Sequence, residues 1–430
     1  MKIILKKVNL LSPFQELNQI CDLLIEDGII KKIDGLTEED LNNSRIFNFE
    51  NKYCVPGLFD MHVHLREPGR EDEETVETGC NAAAAGGFTG VACMPNTKPD
   101  IDSAEVVRFI KEKADKHLVN VFPVAAATLS RKGEAISPMF ELFEAGAVAF
   151  SDDGTAIKTA SVLRSALEYS KIFGTPIIEH CEDESLSDGA MNEGLTSTIL
   201  GLPAIPTVAE DLVVMRDIMM AEFTGGKVHI AHISSRNSVE LVRQAKQKGI
   251  NVTAEVAPHH FILTDESVKT YDTNFKMNPP LRSRVDVEAM IEGLKDGTID
   301  CIASDHAPHS IEEKEMEFIY SPNGILGLET MLALSISELV HKKHLTFPQL
   351  IEKFAVNPYK VLNIPVPLIK EGVVANLTII DPEVIWTVNV NEFKSKSKNS
   401  PFDKRLVTGK SLAVINNKKM FYENKFVDLI

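Results

Sequence analysis

Histidines, aspartates and an arginine recur where short apolar runs end, and their spacing suits a metal-dependent hydrolase. His62 and His64 follow the run Val55-Pro56-Gly57-Leu58-Phe59. In an extended strand their spacing puts both imidazoles on one face, roughly 7 Å apart at Cα, so that both can reach one ion. His180 follows Pro176-Ile177-Ile178-Glu179, and His232 follows Val228-His229-Ile230-Ala231. Either alone reads as an ordinary core histidine; beside the first two they make a second pair. Borderline ions such as zinc take nitrogen and carboxylate ligands, and paired ions roughly 3.5 to 4 Å apart share a bridging carboxylate or hydroxide. Asp152 and Asp153 close another apolar run, and Asp153 is placed for that bridge. Asp305, in Ala303-Ser304-Asp305-His306-Ala307-Pro308-His309, is expected to be the general acid and base, since a carboxylate beside activated water can take its proton and return it to a leaving group. Arg66 lies two residues beyond His64, on the same face if the strand continues, and its planar fork suits a carboxylate. Asn96, Asn278 and His309 fall in loops of the same set.

These residues need a scaffold that brings strand ends together. Eight short apolar runs, at about 55–60, 89–94, 119–125, 147–152, 176–180, 228–232, 251–257 and 299–305, alternate with helical segments of about 10 to 18 residues. Eight strand-then-helix units are what a closed (β/α)8 barrel requires, and its functional groups collect at the C-terminal rim. The expected fold is therefore a (β/α)8 TIM-like barrel over residues 53–365. Residues 1–52 and 366–430 are strand-rich and together form a small β-sandwich module. Within the first segment Asp27-Gly28 between apolar runs signals a hairpin, and residues 413–421 read as two short strands about a polar turn.

Composition narrows the partners. Sixty-two acidic against 45 basic residues give a net charge of −17, which repels nucleic-acid phosphates and anionic lipid surfaces. An anionic substrate then requires local cations, and Arg66 and metal ions are the groups offered. Six cysteines without a C-x-x-C pair point to a reducing compartment, and the absence of a long uncharged apolar stretch to a cytoplasmic protein. Three features are set aside. Gly86-Gly87-Phe88-Thr89-Gly90 leads from a helix into a strand, the reverse of a phosphate-cradling loop, and reads as a helix C-cap. His259-His260 are expected to have non-ligand roles. Lys394-Ser395-Lys396-Ser397-Lys398-Asn399-Ser400 reads as a solvated surface turn.

Several motifs together resemble dihydroorotase. They are Asp60-Met61-His62-Val63-His64-Leu65-Arg66-Glu67-Pro68-Gly69, Ala85-Gly86-Gly87-Phe88-Thr89 with Met94-Pro95-Asn96-Thr97, Ser151-Asp152-Asp153-Gly154, Met277-Asn278-Pro279-Pro280-Leu281-Arg282, Ser304 to His309 and Gly324-Ile325-Leu326-Gly327-Leu328-Glu329. The resemblance runs from about residue 50 to 410. It implies reversible hydrolysis of the ring amide of dihydroorotate to carbamoyl-aspartate, a step of pyrimidine synthesis. It also implies that His62, His64 and Asp305 bind one zinc, His180 and His232 the second, and that Asp153 bridges. Arg66, Asn96 and His309 would hold the substrate carboxylate, with Asn278, Asn323 and Gly324 lining the pocket. The second zinc is expected to be less fully occupied than the first. The resemblance further implies a homodimer and allows a complex with aspartate transcarbamoylase.

Hydantoinases, allantoinases and one dihydroorotase class share His-x-His but bridge their metals with a carboxylated lysine at the end of strand 4. Here that position holds no lysine, and the nearest, Lys158, lies past the strand end. The chain therefore resembles the class with an aspartate bridge; both Asp152 and Asp153 are available, and the family pattern points to Asp153. Two rival readings are a cyclic amidase acting on hydantoins, dihydropyrimidines or allantoin, and an inactive barrel that serves aspartate transcarbamoylase. The second loses metal-binding histidines in the chains known for it, whereas this chain retains them.

Overall fold

A computed structural model describes residues 1–42 and 44–430. Eight strands lie side by side in chain order: β1 (Leu58–Val63), β2 (Phe88–Cys93), β3 (Asn120–Ala126), β4 (Ala149–Ser151), β5 (Ile177–Glu179), β6 (Val228–Ile230), β7 (Val252–Val256) and β8 (Cys301–Ile302). All neighbouring pairs are parallel. Parallel strands covered on both faces are buried throughout and mostly apolar, as β1 and β2 are, with Asp60, His62 and Thr89 the polar exceptions. β8 meets β1 through a parallel bridge between Val63 and His306 and a 2.8 Å hydrogen bond from the His64 N–H to the His306 carbonyl. The barrel is closed at that seam by Asp60, whose Oδ1 accepts the N–H of Ser304 at 3.0 Å and that of His62 at 3.2 Å.

Phe59, Met61, Ala92, Met94, Val124, Ala149, Ile178 and Ala231 fill the barrel interior. A separate apolar layer lies between strands and surrounding helices, built from residues such as Phe88, Val91, Leu163, Val239 and Leu350. Helix Val76–Gly86 shows the local grammar: Thr75 and Thr78 form its capping box, and Gly87 ends it at φ 102°, the C-cap expected from the sequence.

The termini build a nine-stranded mixed sheet. Strand Tyr53–Pro56 joins its two parts, pairing with Lys2–Ser12 on one side and Leu377–Thr387 on the other. Ile3, Leu5, Leu23, Ile25, Leu377, Ile379 and Ile415 form its own apolar core. The Asp27-Gly28 hairpin is present, joining Leu17–Glu26 to Ile29–Ile33 with both turn residues at positive φ. The apolar run at 55–60 is shared between two sheets: Tyr53–Pro56 belongs to the terminal sheet, and β1 begins at Leu58. Gly57 makes the switch, because a Cβ there would lie 1.8 Å from Asn376 Oδ1 and 2.0 Å from Thr89 Oγ1.

The segment 394–400 is not the solvated turn its composition suggests. Ser395, Ser397, Asn399 and Ser400 are buried, with Lys396 exposed between them. Ser395 and Ser397 point inward with Lys396 outward between them, Lys398 folds back onto the carbonyls of Phe393 and Ser395, and the inward residues satisfy buried backbone and carboxylate groups of the barrel rim.

Candidate metal centre

Because parallel strands of one barrel end on a common rim, five of them deliver their titratable residues to one place. His62 lies within β1 and His64 just beyond it; β4 leads to Asp153, β5 to His180, β6 to His232 and β8 to Asp305. His62 Nε2 lies 3.4 Å from Asp153 Oδ1 and 3.7 Å from Asp305 Oδ1. His64 Nε2 lies 3.6 Å from Asp153 Oδ2 and 3.1 Å from Asp305 Oδ1. On the other side of Asp153, His232 Nε2 is 3.5 Å and His180 Nδ1 3.9 Å from Oδ1. Two triads result, His62-His64-Asp153 and Asp153-His180-His232, each with donor atoms within 4.8 Å of one another and all residues buried.

The donor set fits metal. Donors around a tetrahedral zinc with arms of about 2.0–2.1 Å stand roughly 3.3–3.5 Å apart, close to most of these separations and longer than good hydrogen bonds. His62 Nε2 and Asp153 Oδ1 are buried without a hydrogen-bond partner among the described residues, an arrangement that is costly unless a cation joins them. Burial pushes the Asp153 carboxyl up, but His62 and His232 beside it hold it well below the usual carboxylate range. Asp305 behaves alike: burial raises it, and the His64 contact with the nearby imidazoles outweighs that.

A supporting layer orients the ligand-type side chains. His62 Nδ1 meets Glu255 Oε1 at 2.6 Å, and Glu255 Oε2 lies 3.4 Å from His229 Nε2. Burial opposes ionisation of Glu255, yet His62 and His229 pull it down to about 2. His64 Nδ1 pairs with Asn96 Oδ1 at 2.8 Å, and His180 Nε2 faces Glu182 at 3.5 Å. Such partners set the tautomer and direction of an imidazole. Asp152 turns the other way, accepting the Thr128 N–H at 2.9 Å and its hydroxyl. His259 and His260 are buried outside both triads, and His260 Nε2 meets the Pro279 carbonyl at 3.0 Å.

A cavity of about 210 Å³ opens over this cluster, lined by His64, Arg66, Asn96, Asp153, Gly154, His180, His232, Asn278, Asp305, Ala307, His309, Asn323 and Gly324. All the site residues expected from the sequence line it except His62, which lies beneath. Arg66 reaches it by a different route from the expected one: β1 ends at Val63, and Arg66 turns to φ 61°. His232 and Asp305 also hold positive φ, 29° and 49°. Such conformations cost about 1–3 kcal/mol each and persist only where surrounding contacts impose them. Glu73 organises the wall opposite the metal side, with Oε2 3.1 Å from Arg66 Nε and Oε1 3.0 Å from His309 Nδ1. Gly324 sits at φ 124°, where a Cβ would come within 2.5 Å of Ala307 Cβ and 3.2 Å of His309 Nε2.

A dihydroorotase of Acetivibrio thermocellus is 50% identical over 401 residues, spanning 93% of this chain and 94% of that protein. One of Pelotomaculum thermopropionicum is 48% identical over 428 residues, 99% of this chain and all of that protein. The chain belongs to the dihydroorotase family. A family model described as dihydro-orotase-like matches residues 51–238, which hold β1 to β6, both histidine pairs and Asp153. Among solved structures, an L-hydantoinase (dihydropyrimidinase) from Arthrobacter aurescens superposes with a TM-score of 0.86 at 25% identity, covering 98% of this chain and 96% of that one. A dihydropyrimidinase from Brevibacillus agri does so at 0.84 and 20% identity, over 99% and 96%, which speaks to the shared barrel fold. The carboxylate between the histidines of this dihydroorotase-family chain is that of Asp153, while Lys158 is exposed on the loop beyond β4.

Glu255, Glu73 and Glu182 were not visible as site residues in the sequence. Glu255 carried a usable signal: it lies near the end of the seventh apolar run, where barrel strands present functional groups. Glu73 lies in the loop between β1 and the next helix and touches His309 across 236 residues, a contact no local pattern announces.

Proposed function

We propose that this chain is a dihydroorotase: it hydrolyses the ring amide of dihydroorotate to carbamoyl-aspartate, reversibly, as a step of pyrimidine synthesis. One observation carries the reading, namely that a single cavity is lined on one side by His64, His180, His232, Asp153 and Asp305, with His62 beneath them, and on the other by Arg66 and His309. A cyclic amide with a ring carboxylate needs that pairing.

In the mechanism, His62, His64, Asp153 and Asp305 would hold one zinc ion and Asp153, His180 and His232 a second, with Asp153 shared. When bound, these ions supply Lewis acidity toward the ring carbonyl and lower the pKa of water. Arg66, Asn96 and His309 anchor the carboxylate of the substrate, and Asn278 with the Asn323–Gly324 backbone lines the ring. Asp305, ionised at neutral pH, takes the proton of the attacking water and delivers it to the departing ring nitrogen. Glu73 keeps Arg66 and His309 aimed at a common point. The barrel over residues 53–365 with a module from 1–52 and 366–430, a homodimer open to association with aspartate transcarbamoylase, and residence in the cytoplasm complete the proposal. The separate apolar cores of the two sheets support the first, the family resemblance the second, and the six free, buried cysteines the third.

The test compares turnover of dihydroorotate, hydantoin and dihydrouracil by wild type, Arg66→Ala and Asp305→Ala. The expected result is preference for dihydroorotate, a rise in its KM of ~10–100-fold in Arg66→Ala, as for loss of a charged hydrogen-bonding partner, and loss of turnover in Asp305→Ala with metal content retained. Equal or better turnover of the uncharged rings would favour a general cyclic amidase, and near-wild-type turnover by metal-loaded Asp305→Ala would refute the proton-transfer role.

A further inference from the structure

The segment 395–399 reaches the active rim from the chain between the last two long strands of the terminal sheet, Leu377–Thr387 and Leu406–Asn416. Asn399 lies at its centre of action. Its side chain uses its whole amide: Oδ1 accepts the His309 N–H at 3.2 Å, and Nδ2 donates to the carbonyls of Ala307 at 3.0 Å and Gly324 at 3.1 Å. Its own carbonyl accepts the Leu326 N–H at 2.9 Å. One buried side chain therefore staples the loop after β8, which carries His309, to the loop that carries Asn323 and Gly324. Ser397 adds a second tie, its hydroxyl donating at 2.7 Å to the carbonyl of Glu73, the residue that contacts both Arg66 and His309. Ser395 binds the neighbouring Glu74.

We propose that the strap 395–399 sets the shape of the substrate-carboxylate side of the pocket, with Asn399 as its principal positioning residue. This rests on the reading that Arg66 and His309 hold the carboxylate. Asn399 touches neither of the metal triads, so its loss acts on substrate binding and leaves the proton-transfer chemistry in place. A shift of a few tenths of an ångström in His309 and Gly324 is felt because Gly324 already leaves no room for a Cβ.

The experiment measures kcat, KM for dihydroorotate, metal content and melting temperature for the full-length protein and its Asn399→Ala, Ser397→Ala, His309→Ala and Arg66→Ala variants. Asn399→Ala strips the His309 N–H and the Ala307 carbonyl of their partners and leaves the Gly324 carbonyl to Lys314 Nζ alone. It is expected to raise KM about tenfold with kcat within about twofold and the metal content unchanged. Ser397→Ala removes one bond and is expected to raise KM about two- to threefold; it carries the test alone if Asn399→Ala does not fold. A lower melting temperature with unchanged KM in both strap variants, while His309→Ala and Arg66→Ala raise KM, would overturn the proposal and leave the site reading standing. If His309→Ala and Arg66→Ala leave KM unchanged, the site reading itself fails, and the strap proposal with it.

Discussion

Replacing Glu255 by Gln keeps the shape of the group behind His62 and removes its charge. The carboxylate stands 2.6 Å from His62 Nδ1, and both residues are almost fully buried. Glutamine Oε1 can still accept from Nδ1–H, so the imidazole keeps its direction but loses one of the two anions that raise its basicity; Asp153 is the other. Partners of this kind typically contribute 10–100-fold to metal affinity, or ~1.4–2.7 kcal/mol. With geometry retained, the lower end applies, and about a tenfold weaker hold on the ion at the His62–His64 triad is expected. The ion at His180–His232 should be little affected, since Glu255 touches neither histidine. Titrating zinc-loaded wild type and Glu255→Gln with a chromophoric chelator resolves the two ions, and turnover on the same samples reports the consequence. Two ions released by Glu255→Gln at wild-type chelator concentrations, with unchanged turnover, would refute the argument that this buried pair tunes the centre.

Further predictions address the seam and the strap. Asp60→Ala leaves the N–H groups of Ser304 and His62 without acceptors inside the barrel, and should cost about 2–4 kcal/mol in urea unfolding; a loss below about 0.5 kcal/mol would show that the carboxylate does not close the barrel. Glu329 is half-buried against the strap, accepts the N–H groups of Lys394 and Ser395, and its partial desolvation pushes its carboxyl from 4.5 up to about 7. An acid raised in the folded state supports stability below pH 4.5 and loses that support as pH climbs toward 7, by at most ~3 kcal/mol for this gap. Glu329→Gln should therefore be more stable than wild type at pH 8, by about 1–2 kcal/mol, and no more stable at pH 4.5. Equal stability at both pH values would remove the desolvated-acid argument.

The sequence revealed the barrel through its eight apolar runs, because parallel strands buried on both faces are mostly apolar along their length. It located the first run imprecisely, since Gly57 passes the chain from one sheet to another without any change in hydropathy. Side chains at strand ends were legible for a geometric reason: position on a strand of a closed barrel fixes position on the rim. Asp152 and Asp153 are neighbours of the same residue type, which the family pattern alone separates in the sequence; in the structure the packing turns Asp152 toward Thr128. Glu73 and Asn399 act through partners far away in the chain, and nothing local marks them. The strap reads as a solvated turn because serine and asparagine look alike in a sequence whether they face water or satisfy a buried carbonyl.

The central claim is that a centre of two triads sharing Asp153 hydrolyses dihydroorotate. It is tested most directly by metal analysis and dihydroorotate turnover on one preparation, before chelation, after chelation and after zinc is restored. The account predicts zinc approaching two ions per chain, one for each triad, with activity lost on chelation and regained with zinc. A metal-free chain that still turns over dihydroorotate would contradict it.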